Sequence, residues 1–167
     1  IKSKHSRKIV TVYDMINEKF GHTFNLPKNT NVILKKQNAM QNADHIIAIS
    51  ETTKNDILNY TNIHADKISV VYLNASKHFN MNETLNIKKQ NIILYVGNRN
   101  YYKNFRVLID SLSKDKYLKS NYKLICFGGE KISSREKKLI GEMGLSTCID
   151  FVTGNSNDLR LLYNQSK

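Results

Sequence analysis

The sequence is poor in the residues that cross-link or interrupt a chain: of 167 residues, one is proline, two are cysteine and none is tryptophan. Cys126 and Cys148 lack CxxC spacing, so neither a disulfide framework nor a CxxC-type metal site is predicted. We expect two reduced cysteines that serve in packing. The five histidines form no ligand pattern with cysteines or carboxylates, and no metal is expected.

Long apolar runs and familiar catalytic motifs are also missing. No run approaches the length of a membrane span, and nothing at the amino end resembles a signal peptide. The sequence therefore predicts a cytoplasmic protein. It contains no GxGxxG, no P-loop and no nucleophile elbow, which excludes the dinucleotide fingerprint, the Walker-type phosphate site and the common serine hydrolase arrangement.

Acidic residues are few. The 26 lysines and arginines outnumber the 14 acidic residues, which gives a formal charge of +12. Nucleic acid, an anionic membrane face and a phosphorylated substrate are all partners that such a charge would favour. The cations are spread along the whole chain, so charge alone does not decide between these partners.

What the chain does have is an alternation of short apolar strands and helical patterns, which is typical of an α/β protein with parallel sheets. A polar segment without periodicity, residues 81–90, separates two such series and is the predicted linker. The predicted domains are residues 1–80 and 91–167. Predicted strands are Ile9–Tyr13, a strand ending before Ser50, Asp66–Leu73, Ile92–Val96, Lys123–Phe127 and Ile149–Thr153.

The stretch that organises the second series runs from Ile92 to Phe105. A β-branched and aromatic run ends at Gly97, which lets the chain turn, and an amphipathic helix is predicted to follow with Asn104 as its N-cap. Arg99 and Lys103 would then lie where the carboxyl end of a strand faces the amino end of a helix. Free backbone N–H groups and the helix dipole favour an anion there, and such crevices usually bind ligands in open α/β sheets.

The segment LYVGNRNYYKNF resembles the start of the donor-sugar domain of retaining glycosyltransferases of family 4. The resemblance implies two incomplete Rossmann-like halves of the GT-B fold, with parallel sheets flanked by helices. It also implies that Arg99 and Lys103 hold the diphosphate of a nucleotide sugar. The commonest mannosyltransferase version reads Pro-Arg-Lys-Asn, whereas here Tyr102 precedes Lys103 and the arginine lies four residues upstream of the lysine.

Further residues of a nucleotide-sugar cleft are predicted at the ends of the neighbouring strands. Gly128 and Gly129 follow a strand and allow a ligand or another backbone to approach closely. In the family, the turn after the next strand lies beside the nucleotide base and contributes mainly backbone groups. The predicted cleft residues are Gly97, Asn98, Gly128, Gly129, Val152, Thr153 and Gly154.

The acceptor side is predicted in the first series. The family's first strand of this series normally ends in His-Asp near the sugar, and here Tyr13 and Asp14 occupy that place, with Asp14 as the candidate catalytic residue. An equal alternative is that Asp14 caps the following turn. Ser50 is predicted as the N-cap of a helix. In the family this turn borders the cleft, so Ser50 is either a cap alone, the favoured alternative, or a cap whose neighbours also touch the substrate.

The resemblance implies transfer of a sugar, mannose being one candidate, from a nucleotide-diphosphate donor. The acceptor would be a cell-surface glycan or its lipid-linked precursor, and anomeric configuration would be retained. No metal or other cofactor is implied, because the two cations take the place of a metal, and the basic surface favours the inner face of an anionic membrane. Family members are usually about twice as long, so we expect a fragment or a short form. Two alternatives remain: a basic module that binds nucleic acid through its aromatic and basic loop, and a sugar-nucleotide-binding protein without transfer activity.

Overall fold

A computed structural model of the chain describes residues 6–23, 31–79, 87–99 and 101–167. The chain divides into two compact units, Ile1–Ala75 and Ser76–Lys167, called here the first unit and the second unit. Residues 81–86 of the predicted linker lie outside the described residues. No helix in the described ranges is long and apolar enough to cross a membrane.

The first unit is a three-stranded parallel sheet with helices between its strands. In chain order its elements are β1 (Ile9–Val12), α1 (Ile16–Phe20), α2 (Asn31–Gln41), β2 (His45–Ala48), α3 (Glu51–Tyr60), a short 3₁₀ helix (Ala65–Lys67) and β3 (Ile68–Val70). The strand order is β1-β2-β3, so β2 is central. Ile46 and Ala48 of β2 pack with Ile57 of α3, and all three are fully buried.

The second unit repeats this plan with longer strands. Its elements are a 3₁₀ helix (Lys77–Phe79), β4 (Ile92–Val96), a 3₁₀ turn (Tyr101–Lys103), α4 (Phe105–Lys114), α5 (Lys116–Asn121), β5 (Lys123–Phe127), α6 (Ser134–Glu142), β6 (Ile149–Val152) and α7 (Ser156–Gln165). The parallel order is β4-β5-β6. Leu124 and Cys126 of the central strand pack with Leu145 in the core.

The predicted fold class is confirmed, with local corrections. The predicted strand Asp66–Leu73 is shorter, since β3 spans Ile68–Val70 and a 3₁₀ helix, Ala65–Lys67, precedes it. The strand β4 lies at the edge of its described sheet, and Ile93, Leu94 and Tyr95 are half-buried. The helix α5 was not predicted. Asn104 occupies the N-cap position of α4 but makes no capping hydrogen bond, because its backbone has the left-handed φ of 52°.

Both cysteines are free. Burial raises the pKa of the Cys126 thiol to about 12, and a thiol with so high a pKa is inert as a nucleophile. The Cys148 thiol donates to the carbonyl of Lys119 at 3.3 Å.

Candidate nucleotide-sugar site

The carboxyl ends of the second unit's strands meet at one edge, and glycines terminate two of them. The Gly97 N–H donates to the Phe127 carbonyl and the Gly128 N–H donates to the Val152 carbonyl, each at 2.9 Å. Both glycines have positive φ, 111° for Gly97 and 76° for Gly128, which other residues adopt only with strain. The loops after β4 and β5 therefore leave the sheet at the same edge as Thr153.

Gly129 allows two of these loops to touch. A β-carbon at this position would lie 2.8 Å from the Gly97 carbonyl oxygen and 3.3 Å from Nη1 of Arg99. The first distance is shorter than real side chains tolerate, and the neighbour is backbone, which cannot move aside cheaply. Of the two reasons predicted for the glycine pair, close approach of another backbone is the one observed.

Arg99 connects all three strand ends. Its side chain is 5% exposed, and its Nε–H donates to Oε1 of Glu136 on α6 at 2.9 Å. Its Nη2–H donates to the carbonyl of Glu130, in the loop after β5, at 2.7 Å. The guanidinium also lies 4.9 Å from the ring centroid of Phe151 on β6, a favourable cation–π distance.

Glu136 is the acidic partner that sequence reasoning missed. Its Oε2 accepts from the N–H and the hydroxyl of Ser133, which completes a capping box at the start of α6. Burial raises the pKa of Glu136, but the hydrogen bonds from Ser133 and Arg99 outweigh it and hold the pKa below its ordinary value. The carboxylate is thus ionised and compensates the charge of Arg99.

A cavity of about 350 Å³ opens at this edge. It gathers four residues of the predicted site, Arg99, Gly128, Val152 and Thr153. Lys131 and Lys137 also line it, and neither amino group has a hydrogen-bond or ion-pair partner within the described ranges. The remaining lining residues are Glu130, Ile132 and Phe151. The two lysines outweigh the single carboxylate of Glu130, so the cavity has a net positive charge beside backbone groups from two strand ends, which suits an anionic ligand.

Lys103 is placed apart from this cavity. It is exposed, ends the 3₁₀ turn before α4, and its Nζ lies 5.3 Å from the ring centroid of Tyr102. The loop before it is held by the Tyr95 hydroxyl, which donates to the Asn98 carbonyl at 2.7 Å. Arg99 and Lys103 thus lie on the same loop, but only Arg99 lines the cavity.

The helices that follow the three strands differ at their amino ends. Capping boxes close α6, with Ser133 and Glu136, and α7, with Asn155 and Asp158. Glycine at position 154 leaves room for the capping box of α7, because a β-carbon there would lie 2.6 Å from Oδ2 of Asp158. At α4 the N-cap residue Asn104 makes no side-chain capping hydrogen bond, so within the described part of the chain the first N–H groups of this helix, next to Lys103, have no side-chain acceptor from a cap.

The predicted acceptor-side residues lie in the first unit. Oδ1 of Asp14 accepts from the Ile16 N–H at 3.1 Å, which is the turn-capping alternative; the catalytic role stays a prediction. Tyr13 is 60% exposed, and its carbonyl accepts from the Thr53 hydroxyl at 3.2 Å. Ser50 is the N-cap of α3, as predicted, and accepts from the Thr53 N–H at 3.0 Å.

Lys36 on α2 contacts the segment after β1. Its amino group pairs with Oε2 of Glu18 at 2.7 Å and donates to the Asp14 carbonyl at 3.1 Å. The Glu18 side chain is only 6% exposed. This lysine therefore holds the turn that carries Asp14, a link between positions 22 residues apart that no local pattern announces.

No three metal-binding side chains of the His, Cys, Asp or Glu type come together among the residues with described positions. The carboxyl edge of β4–β6 carries cations, glycines with positive φ and the end of α4 at which Asn104 makes no capping hydrogen bond, a combination that favours an anion.

Comparison with known proteins identifies a matching family. The sequence model of the family described as Glycosyl transferases group 1 matches residues 76–167, which is more than half of the chain and contains the whole site above. No curated protein matches in a sequence search.

Three solved structures are similar in fold. WaaG, a glycosyltransferase involved in lipopolysaccharide biosynthesis, aligns over 93% of this chain with a TM-score of 0.73 and 16% identity. A TarM variant from S. aureus, in complex with fondaparinux, alpha-GlcNAc-glycerol and UDP, aligns over 96% with a TM-score of 0.65 and 16% identity. A glycosyltransferase from Rickettsia africae aligns over 95% with a TM-score of 0.61 and 24% identity.

These likenesses show the fold: the two units match Rossmann-like halves of GT-B glycosyltransferases. The chain spans 47% of the WaaG chain, 43% of the Rickettsia chain and 31% of the TarM chain.

Proposed function

Because the chain belongs to the glycosyl transferases group 1 family, we propose that its second unit binds the diphosphate of a nucleotide sugar at the carboxyl edge of β4–β6. One observation carries the proposal: at this edge an uncapped helix, Lys103 and the cavity lined by Arg99 follow the ends of parallel strands. Backbone N–H groups and cations together stabilise a dianionic leaving group.

The roles divide according to geometry. The α4 amino end, the exposed Lys103 and the cations of the cavity take the diphosphate, while backbone groups of Val152 and Thr153 take the nucleoside. Arg99 contacts the ligand from the cavity wall. Its contacts with the described residues engage only Nε and Nη2, which leaves Nη1 to donate.

In the enzyme that carries this chain, the sugar, for which mannose is a candidate, passes with retention of configuration to a cell-surface glycan or its lipid-linked precursor. Charge on the departing diphosphate is stabilised by protein cations without a metal. Asp14, Tyr13 and Ser50 are the acceptor-side candidates. Two findings support this reaction class: the family match, and the UDP and glycan-type ligands bound by the TarM variant of similar fold. The cytoplasmic location at an anionic membrane face is part of the same proposal.

The test is calorimetric titration of the 167-residue chain with GDP, UDP, ADP and a short oligonucleotide, at low and moderate salt. We expect one nucleoside diphosphate to bind. Lys103→Ala should weaken it about tenfold or more, since a lost contact to a charged group costs about 1.5–3 kcal/mol. Lys114→Ala is the matched control, because it removes a lysine from the far end of the same helix.

Two results would contradict the proposal. If Lys103→Ala and Lys114→Ala weaken binding equally, the effect is one of overall charge and not of a site. If only the oligonucleotide binds, with steep salt dependence, the chain is a nucleic-acid module.

A further inference from the structure

The carboxylate of Glu136 performs two tasks with its two oxygens. Oε2 accepts from the Ser133 N–H at 2.8 Å and from its hydroxyl at 2.9 Å, and Oε1 accepts from the Arg99 Nε–H at 2.9 Å. The capping box of α6 and the arginine of the β4 loop therefore share one side chain. The equivalent box of α7 has no such partner: the contacts found for Asp158 in the described ranges are with Asn155.

We propose that Glu136 is the positioning residue for Arg99, fixing its guanidinium against Phe151 at the wall of the nucleotide-sugar cavity and leaving Nη1 to donate. Three contacts from three elements determine this orientation: Glu136 on α6, the Glu130 carbonyl after β5 and the Phe151 ring on β6. Of these, the bond to Glu136 is the charge-assisted pair of two ions, the strongest type of hydrogen bond available. The inference rests on the proposed function, since it assigns a means of holding a residue of that site.

The pairing has an electrostatic consequence for the ligand. Glu136 compensates the charge of Arg99, so Arg99 contributes directed N–H groups more than net charge. The net positive charge at the cavity comes from Lys131 and Lys137, offset in part by Glu130, and at the α4 end it comes from Lys103. The salt dependence of diphosphate binding therefore comes from the lysines, whereas the orientation of the bound diphosphate is set by Arg99.

Glu136→Gln separates the two tasks. Glutamine serves at this position of a capping box as well as glutamate does, but it has a single oxygen. Two donors of Ser133 compete for that oxygen against one donor of Arg99, so the cap keeps it and the amide NH₂ group is turned toward the Arg99 Nε–H. The helix stays capped while the arginine loses its acceptor.

Ser133→Ala is the matched variant for the opposite case. It removes the hydroxyl of the cap but leaves the Ser133 backbone N–H to hold Oε2, so Glu136 keeps its place beside Arg99. We therefore expect opposite results. Glu136→Gln should weaken nucleoside diphosphate binding about tenfold, beyond any loss of stability from the missing ion pair, and Ser133→Ala should lower Tm with binding unchanged.

Two readouts distinguish positioning from general damage. The side-chain Nε–H resonance of Arg99 in a ¹⁵N NMR spectrum, slowly exchanging in the wild type, should shift and lose protection in Glu136→Gln and persist in Ser133→Ala. In a double-mutant cycle, Glu136→Gln should have no further effect on binding once Arg99→Ala is present, because it acts through that residue.

The outcomes separate this inference from the proposed function. If Arg99→Ala weakens binding but Glu136→Gln does not, Glu136 has no positioning role and the site stands. If the Arg99 resonance is the same in Glu136→Gln as in the wild type, the inference is wrong whatever the nucleotide data show. If no nucleoside diphosphate binds the wild type, the proposed function fails, and the role of Glu136 at that site fails with it.

Discussion

The two units contain sheets of the same strand count, direction and order, yet they end differently. In the second unit, β4 and β5 end in glycines with positive φ, and the loops beyond them are tied together by Arg99. In the first unit, β1 leads into the Asp14 turn and β2 into the Ser50 cap. Positive-φ glycines occur only in the second unit, as far as the described residues show.

This difference between the strand ends bears on where the proposed nucleotide sugar would bind. Glycine ends bring backbone N–H groups and neighbouring loops close together without side chains between them, which suits a bound diphosphate and nucleoside. Side-chain caps use up the same backbone groups. In the second unit, capping boxes close α6 and α7, so the loops after β4 and β5 and the amino end of α4 are the parts that would receive backbone contacts from the proposed ligand.

Truncating the centre of each sheet should have the largest effect. Leu124 in β5 and Ile46 in β2 are both fully buried, and Leu124→Ala or Ile46→Ala should each cost about 2–5 kcal/mol through lost burial and the cavity left behind. Urea denaturation gives the loss, and amide hydrogen exchange shows whether β4–β6 or β1–β3 lose protection first.

The control for both is Val107→Ala, whose side chain is 54% exposed on α4 and should cost no more than about 0.5 kcal/mol. If Leu124→Ala or Ile46→Ala lowers the free energy of unfolding no more than this control does, the two cores are not packed as described.

Substituting either of the adjacent glycines in the loop after β5 should cause a loss of stability of intermediate size. Gly128→Ala forces alanine into a left-handed conformation at a cost of about 1–2 kcal/mol but meets no atom within 4 Å. Gly129→Ala has the same backbone strain and also brings a β-carbon to 2.8 Å from the Gly97 carbonyl. It should therefore destabilise more, and it should also displace Arg99.

Thermal denaturation of both variants and the Arg99 Nε–H resonance check this ranking. Equal losses of stability would show that the loops after β4 and β5 are not in contact, and the comparison between the two sheet edges would lose its structural basis.

The sequence predicts those parts of the molecule that depend on local pattern. The strands Ile92–Val96 and Lys123–Phe127 have the predicted bounds, and Ser50 caps α3 as its position before a helical pattern indicates. In α4, the apolar face predicted from spacing is the buried one, with Phe105, Ile109 and Leu112 in the core. Periodicity and cap residues suffice for such features because neighbours in sequence determine them.

What the sequence could not predict depends on partners far apart in the chain. Glu136 meets Arg99 across 37 positions and Lys36 meets Glu18 across 18, and no spacing rule connects either pair. Asn104 has a typical capping residue's identity, but its left-handed backbone withdraws the side chain from the cap. The diphosphate and acceptor roles of the site residues stay predictions, because ligand contacts are not a property of local pattern.

The smallest expected effect concerns pH and the carboxylate at the site edge. The folded-state pKa of Glu136 lies below its ordinary value, since hydrogen bonds from Ser133 and Arg99 outweigh the opposing effect of burial. The unfolded chain then binds this proton at a higher pH than the folded chain does, so the ionised Glu136 stabilises the fold above the unfolded pKa. That contribution is lost as the pH falls through the folded pKa.

The stability difference between the wild type and Glu136→Gln should therefore be constant near neutral pH and shrink below about pH 5, as urea titrations at a series of pH values would measure. Glu142→Gln is the matched control, since it removes a carboxylate that is 61% exposed at the other end of α6 and whose pair among the described residues is a 3.8 Å contact with Lys138. If the stability difference between the wild type and Glu136→Gln stays constant down to about pH 3, the Glu136 carboxylate makes no preferential hydrogen bonds in the folded state. The contact between α6 and Arg99 would then not distinguish the second sheet from the first.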